Sequence, residues 1–164
     1  METNLKTIIK FKPCAHGITK LMNNLGHLCT VYNWRDVYNP LSKVQQTKNI
    51  DFKFILESNG VKDTFWGLCT QPEKIKMLIS ADIIESVLHL YEKRHPNDTR
   101  MRDYIQGIRD YCDGKITQVE LNALKINVAI TTYVDVVYTV AYAAAVTNRK
   151  KQWKKNEEIL LKYI

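Results

Sequence analysis

Apolar and polar residues follow a helical spacing through most of the chain after residue 50. The stretch 72–95 places apolar residues three and four apart with charges opposite them, which predicts one long amphipathic helix. A second helix is predicted across 98–114, between two capping residues and a terminating glycine. The Thr117-x-x-Glu120 capping box predicts the start of a third. The pattern therefore predicts an all-α fold, mainly a helical bundle.

The third helix contains the most apolar segment of the chain. From Leu121 to Val146, only Lys125 and Asp135 are charged. About 20 apolar residues can span a bilayer, but a carboxylate near the middle of a span costs about 2.5 to 3.5 kcal/mol. We therefore expect no membrane interaction and interpret the segment as a long central helix wrapped by the others. Asp135 is then a buried polar residue, paired with an arginine from the stretch 94–102.

The first 50 residues show weaker patterns. The stretch 14–26 predicts a helix, 7–12 and 27–34 alternate like short strands, and 38–49 has the composition of a loop. We expect a single domain over 1–164. It comprises an N-terminal segment, 1–50, with a short strand or irregular structure, and a helical region, 51–164.

Composition places the chain among ordinary globular proteins. It has 164 residues, 45% of them hydrophobic, and a formal net charge of +7. The start of the chain has no secretory signal, and the four cysteines fit no disulfide framework. We therefore expect a cytoplasmic protein with buried, reduced thiols. The pattern leaves the oligomeric state open.

One cluster stands out in the otherwise scattered positive charge. Five cations surround Trp153 with no acidic residue between them: Arg149, Lys150, Lys151, Lys154 and Lys155. Such a basic patch is either a solvated helix face or a contact surface for phosphates or for an acidic partner.

Motifs for catalysis are missing from the sequence. It contains no phosphate-binding glycine loop, no dinucleotide-binding fingerprint and no nucleophile elbow. We expect no catalytic residues, no enzyme activity and no cofactor. Two residue pairs, Cys14 with His16 and His27 with Cys29, resemble half-sites for zinc, but paired zinc ligands are usually separated by two to four residues. We expect thiols and surface histidines here, with no metal.

The strongest candidates for partner binding lie where the first two long helices meet. They are Arg94, His95, Asp98, Arg100 and Arg102, and Trp153 joins them as an aromatic candidate. The alternative is structural: Asp98 caps the second helix and the arginines are solvated.

The order of these segments resembles the immunity-protein domain of bacterial toxin loci and many phage genomes. The resemblance covers roughly 52–164 and is most specific across 91–116, where a Pro96-x-Asp98-x-Arg100 corner joins two helices. The last helix departs from the family, using Val, Tyr and Thr where the family is richer in alanine and tryptophan.

The resemblance implies an all-α, non-enzymatic inhibitor. Its partner is a toxin or, in a phage, a protein of a bacterial defence system. The residues themselves leave an alternative open, a nucleic-acid-binding protein that uses the basic patch.

Overall fold

The structure is a computed structural model that describes residues 1–127 and 148–164. The described residues are mainly helical, which confirms the predicted all-α fold. They form two compact units, Met1–Gln71 and Pro72–Tyr163. Residues 51–71, which we expected to belong to the C-terminal helical region, therefore belong to the N-terminal unit. Most of the predicted central helix, including Asp135, lies outside the described residues, and with it the expected pairing of Asp135 with an arginine.

The N-terminal unit combines two short strands with six α-helices. The elements are β1 (Glu2–Thr3), α1 (Leu5–Lys10), α2 (Ala15–Asn24), α3 (Trp34–Tyr38), α4 (Lys43–Thr47), β2 (Ile50–Asp51), α5 (Phe52–Asn59) and α6 (Val61–Gly67), followed by a 3₁₀ turn (Leu68–Thr70). The strands pair antiparallel, with Thr3 opposite Ile50. The unit has its own apolar core, formed by Leu5, Ile8, Ile18, Leu21, Met22, Trp34, Ile50 and Ile55.

The strands predicted at 7–12 and 27–34 are wrong. Asn4 caps α1 by accepting a hydrogen bond from the Thr7 amide at 2.9 Å, and Leu5 and Ile8 then share the buried face of the helix. β-Branched residues favour strands only weakly, so the Asn4 cap and the burial of Leu5 and Ile8 favour a helix here. The stretch 27–34 forms turns that lead into α3.

The loop predicted at 38–49 is also wrong in its middle. It contains α4, which begins with a capping box in which Ser42 and Gln45 exchange side-chain and backbone hydrogen bonds. The helix predicted at 14–26 is confirmed as α2.

The C-terminal unit contains four described α-helices. They are α7 (Glu73–Arg94), α8 (Arg100–Cys112), α9 (Gln118–Asn127) and α10 (Arg149–Leu160). The two amphipathic helices and the Thr117–Glu120 capping box are thus confirmed. Helices α7 and α8 form an antiparallel hairpin around a core of Met77, Ala81, Leu88, Tyr104, Ile105, Ile108 and Leu121.

Gly60 makes the abrupt change of direction between α5 and α6. Its φ of 90° and ψ of 170° lie in a region that only glycine adopts readily. Its amide donates to the Leu56 carbonyl and its carbonyl accepts from the Thr64 amide, so this one residue ends one helix and begins the next.

Replacing Gly60 with alanine is expected to destabilise the N-terminal unit. The new Cβ meets no neighbouring atom, so the effect comes from the backbone conformation alone. We expect Gly60→Ala to lower the free energy of unfolding by roughly 1 to 3 kcal/mol in urea titrations. Lys53→Ala, at an exposed position in α5, is the control and should change it by less than about 0.5 kcal/mol. Equal stability of the two variants would contradict the conclusion that the backbone conformation at position 60 requires glycine.

Candidate functional site

The carboxylate of Asp98 organises the corner between α7 and α8. The Arg100 guanidinium donates to both of its oxygens, at 2.9 and 2.6 Å, and the Tyr91 hydroxyl donates at 2.6 Å. These bonds, those from Arg100 first, hold the pKa of the Asp98 carboxyl well below its ordinary value. The hydrogen bond from the Tyr91 hydroxyl to Asp98 raises the pKa of Tyr91. Since the Asp98 pKa is lowered, its contribution to stability is present at neutral pH and is lost only as the pH falls through that lowered value.

The other predicted corner residues contact different partners. Arg102 donates to Glu92 at 2.6 Å across the hairpin, and the His95 ring lies 4.8 Å from the ring of Tyr91. Arg94 ends α7, and its side chain lies outside the described part of the structure. The N-cap residue of α8 is Thr99, not Asp98. Asp98 accepts a hydrogen bond from the amide of Arg100, the first residue of α8, at 3.1 Å.

The corner is therefore a poor site for an anion. Arg100 and Arg102 keep 56% and 62% of their side-chain surface exposed, but each already pairs with a carboxylate. A new anion must compete with these carboxylates. The arrangement holds the guanidinium groups in fixed orientations and neutralises most of their charge.

Arg109, whose structural role the sequence pattern did not indicate, makes three hydrogen bonds from α8 to α7. It donates to Asp82 at 2.8 Å and to Glu85 at 2.7 and 3.1 Å. Hydrogen bonding to Arg109 lowers the pKa of Glu85. The Tyr163 hydroxyl donates to the second oxygen of Asp82 at 2.9 Å, and burial, then this bond, raises the pKa of Tyr163.

A shallow cavity of about 280 Å³ lies beside this network. It is lined by Glu85, Leu88, Arg102, Asp103, Ile105, Gln106 and Arg109. Two cations and two carboxylates balance each other there, so the cavity has no net charge with which to select an ionic ligand.

The basic patch lies on the solvent side of α10. All five cations are exposed, whereas Gln152, Asn156, Ile159 and Leu160 form the buried side of the helix. Lys155 lies 3.4 Å from Glu158, while Lys150, Lys151 and Lys154 pair with no carboxylate of residues 1–127 and 148–164. Trp153 is half-buried. The predicted basic patch is thus one continuous surface, and we call Lys150, Lys151, Lys154 and Lys155 the lysine face.

A partly buried hydrogen bond joins α10 to α7 and restricts its orientation. The Gln152 side chain donates to the Ser86 hydroxyl at 3.0 Å and to the Asn156 side chain at 2.8 Å. Because the bond to Ser86 joins α10 to α7, rotating α10 about its axis would break it, whereas the bond to Asn156 lies within α10 and positions the glutamine side chain. The lysine face is therefore held towards solvent.

A second exposed surface lies in the N-terminal unit and was missed in the sequence. In the segment between α2 and α3, Leu28 is 84% exposed and Tyr32 is 95% exposed. Predicting a strand across 27–34 hid this feature, because a strand would have turned alternate residues inwards.

Side-chain hydrogen bonds hold the backbone of this segment, which we call the 26–33 loop. Asn23 binds both backbone groups of Cys29, accepting from its amide at 2.7 Å and donating to its carbonyl at 3.0 Å. Asn33 accepts from the Thr30 amide at 2.6 Å and from the Thr30 hydroxyl at 3.0 Å. Such bonds compete with regular secondary structure and stabilise turns instead.

The cysteine and histidine pairs do not assemble into a site. Among the residues that the structure describes, no three His, Cys, Asp or Glu side chains come together closely enough to hold a metal ion. None of the four cysteines is fully buried, which corrects the expectation of buried thiols: Cys14 is exposed, and Cys29, Cys69 and Cys112 are half-buried. The Cys14 sulfur caps α2 by accepting from the Gly17 amide at 3.3 Å. Burial raises the pKa of the half-buried Cys29 and Cys112 thiols.

Comparison with protein-family models, with curated proteins and with solved structures found no match to this chain. None of the described helices is both long enough and apolar enough to cross a membrane.

We expect Arg109→Leu to destabilise the C-terminal unit because it leaves two carboxylates without their shared cation. The loss should be roughly 1 to 3 kcal/mol, since hydrogen bonds to charged groups are among the stronger ones. Arg102→Leu is the matched control: its side chain is more exposed, and such pairs contribute about 1 kcal/mol at most. Urea titrations of both variants at neutral pH measure the difference. A larger loss for Arg102→Leu would show that the hairpin depends on the corner instead.

Two members of the lysine face, Lys150 and Lys151 in the first turn, are expected to weaken α10 rather than stabilise it. Cations in the first turn oppose the partial positive charge of a helix N-terminus, and α10 has no acidic residue there. Lys150→Glu should therefore raise the free energy of unfolding by about 0.3 to 1 kcal/mol. Lys155→Glu, in the middle of the helix, should lower it because it loses the pair with Glu158. Thermal unfolding of both variants tests the difference in sign.

Proposed function

We propose that this chain is a non-enzymatic inhibitor that binds another protein, either a toxin that it neutralises or a bacterial defence protein that it blocks. The observation that carries the proposal is the 26–33 loop, which presents two large apolar side chains to solvent on a hydrogen-bonded backbone. The resemblance of residues 52–164 to the immunity-protein domain supports the same function.

The geometry of the 26–33 loop suits recognition of a protein pocket. Tyr32 combines a large apolar ring with a hydroxyl, and tyrosine is enriched among residues that dominate binding energy in interfaces. Because the loop backbone is already held by Asn23 and Asn33, little further ordering is required on binding. A matching partner offers an apolar pocket that admits Tyr32, with a neighbouring contact for Leu28.

The charge of the chain restricts the target surface. A protein with a formal net charge of +7 is attracted to acidic surfaces and repelled by basic ones. The substrate groove of a nuclease is usually basic, so an inhibitor of this charge is expected to bind such a target away from its groove or at an acidic site.

The proposal is tested by identifying the target and then measuring single variants against it. The tagged chain is expressed in its native host, co-purified proteins are identified by mass spectrometry, and each candidate is purified separately. Calorimetry should then show saturable binding. An assay of the target's activity should show inhibition at a stoichiometric ratio.

Tyr32→Ala is expected to weaken this binding by about 2 kcal/mol, which is about 30-fold in Kd. Leu28→Ala should weaken it in the same direction. Val44→Ala is the matched control, because Val44 is 78% exposed and apolar but lies on α4, outside the loop. Binding that survives both loop substitutions would remove the loop from the interface, and binding without inhibition would contradict the proposed function.

A further inference from the structure

The lysine face has three properties that the fold of the C-terminal unit does not explain. Its four side chains are exposed on the side of α10 opposite the buried Gln152 and Asn156. Three of the four have no carboxylate partner in the described part of the chain. The three arginines of α8, Arg100, Arg102 and Arg109, all pair with carboxylates, so the unpaired lysines of α10 differ from the arginines of that helix.

From this contrast, we infer that the lysine face is a binding site for the phosphate backbone of nucleic acid. This activity is separate from the proposed protein-binding function, which rests on a loop of the other unit. Nucleic-acid binding and protein binding can therefore be tested and rejected independently.

The chemistry of lysine favours phosphates over an acidic protein surface. Ammonium groups bind phosphate as point charges, whereas planar guanidinium groups match the two oxygens of a carboxylate. Lysine is depleted in protein–protein interfaces, and their centres need apolar or aromatic side chains. The lysine face has none: Ile159 and Leu160 are buried in the unit, and Trp153 is half-buried.

The spacing of the lysines fits a chain of charges. Lys150 and Lys154 form one row along α10, and Lys151 and Lys155 form a second, with about 6 Å of helix rise between the members of each row. Duplex DNA carries one phosphate per about 3.4 Å of axis on each strand, so each row extends over about two nucleotides. Four flexible point charges of this kind bind the backbone without reading bases, so no sequence preference is expected.

The inference is tested with the full chain and a fluorescein-labelled duplex DNA of 20 base pairs. Anisotropy titrations at sodium chloride concentrations from 50 to 200 mM give the dependence of affinity on salt. Four phosphate contacts predict a slope of about −3.6 in a plot of log affinity against log salt, which is roughly a 150-fold loss of affinity over this range. A duplex RNA and a single-stranded DNA of the same length should bind as well, because the site recognises only the backbone.

The decisive comparison uses two variants of equal charge. In one, the four lysines of the lysine face become glutamine; in the other, the change is made at four exposed lysines of the N-terminal unit: Lys6, Lys10, Lys43 and Lys48. Each variant loses four positive charges, so both have a formal net charge of +3 instead of +7. The first should lose at least about 10-fold in affinity and about 3.6 units of slope, and the second should keep a slope within about 1 unit of the original.

A smaller change protects the test against misfolding. The double variant Lys151→Gln, Lys154→Gln should lose about half of the slope, roughly 1.8 units, while its circular dichroism spectrum stays that of the original chain.

Three outcomes would overturn the inference. Equal losses in the two fourfold variants would show that total charge, not the lysine face, attracts DNA. A polyglutamate peptide that binds as tightly as DNA at the same salt would identify an acidic protein as the partner. Tighter binding to phosphatidylserine vesicles than to DNA, lost in the lysine-face variant, would identify a membrane surface.

Discussion

The contact between α7 and α8 is the interaction on which the rest of the C-terminal unit depends. Arg109 connects the two helices through Asp82 and Glu85, and the same Asp82 receives the hydroxyl of Tyr163. Helix α10 then binds to α7 through the bond from Gln152 to Ser86. Because α7 is the common partner, anything that displaces it from α8 also moves the surface to which α10 and the end of the chain attach.

This dependence explains how cations are distributed within the unit. The arginines of α8 lie next to carboxylates of α7 or of the corner, where a planar guanidinium makes two directed hydrogen bonds at once. The lysines of α10 make no such paired hydrogen bonds among the described residues, and their side chains are exposed to water. The arginines of α8 therefore connect elements of the unit, and the predicted corner residues Arg100 and Arg102 belong to this paired group.

Sequence patterns predicted the elements whose signals are local. The long helices, the Thr117–Glu120 capping box and the exposed cations of α10 follow from spacing and from neighbouring residues alone. The 26–33 loop was missed because its shape depends on Asn23 reaching a residue six positions away, which competes with a weak strand preference. The role of Arg109 was missed because it depends on the register of the hairpin, which places α8 residues opposite α7 residues 24 and 27 positions earlier.

The two candidate surfaces depend on different interactions because one is apolar and the other is charged. The 26–33 loop offers apolar area and a preformed backbone, so its contribution to binding depends on removing Leu28 and Tyr32 from water and is little affected by salt. The lysine face acts through charges exposed to solvent, which added salt screens. Raising the salt concentration therefore suppresses the second surface and leaves the first, which makes ionic strength a means of assigning any measured binding to one unit or the other.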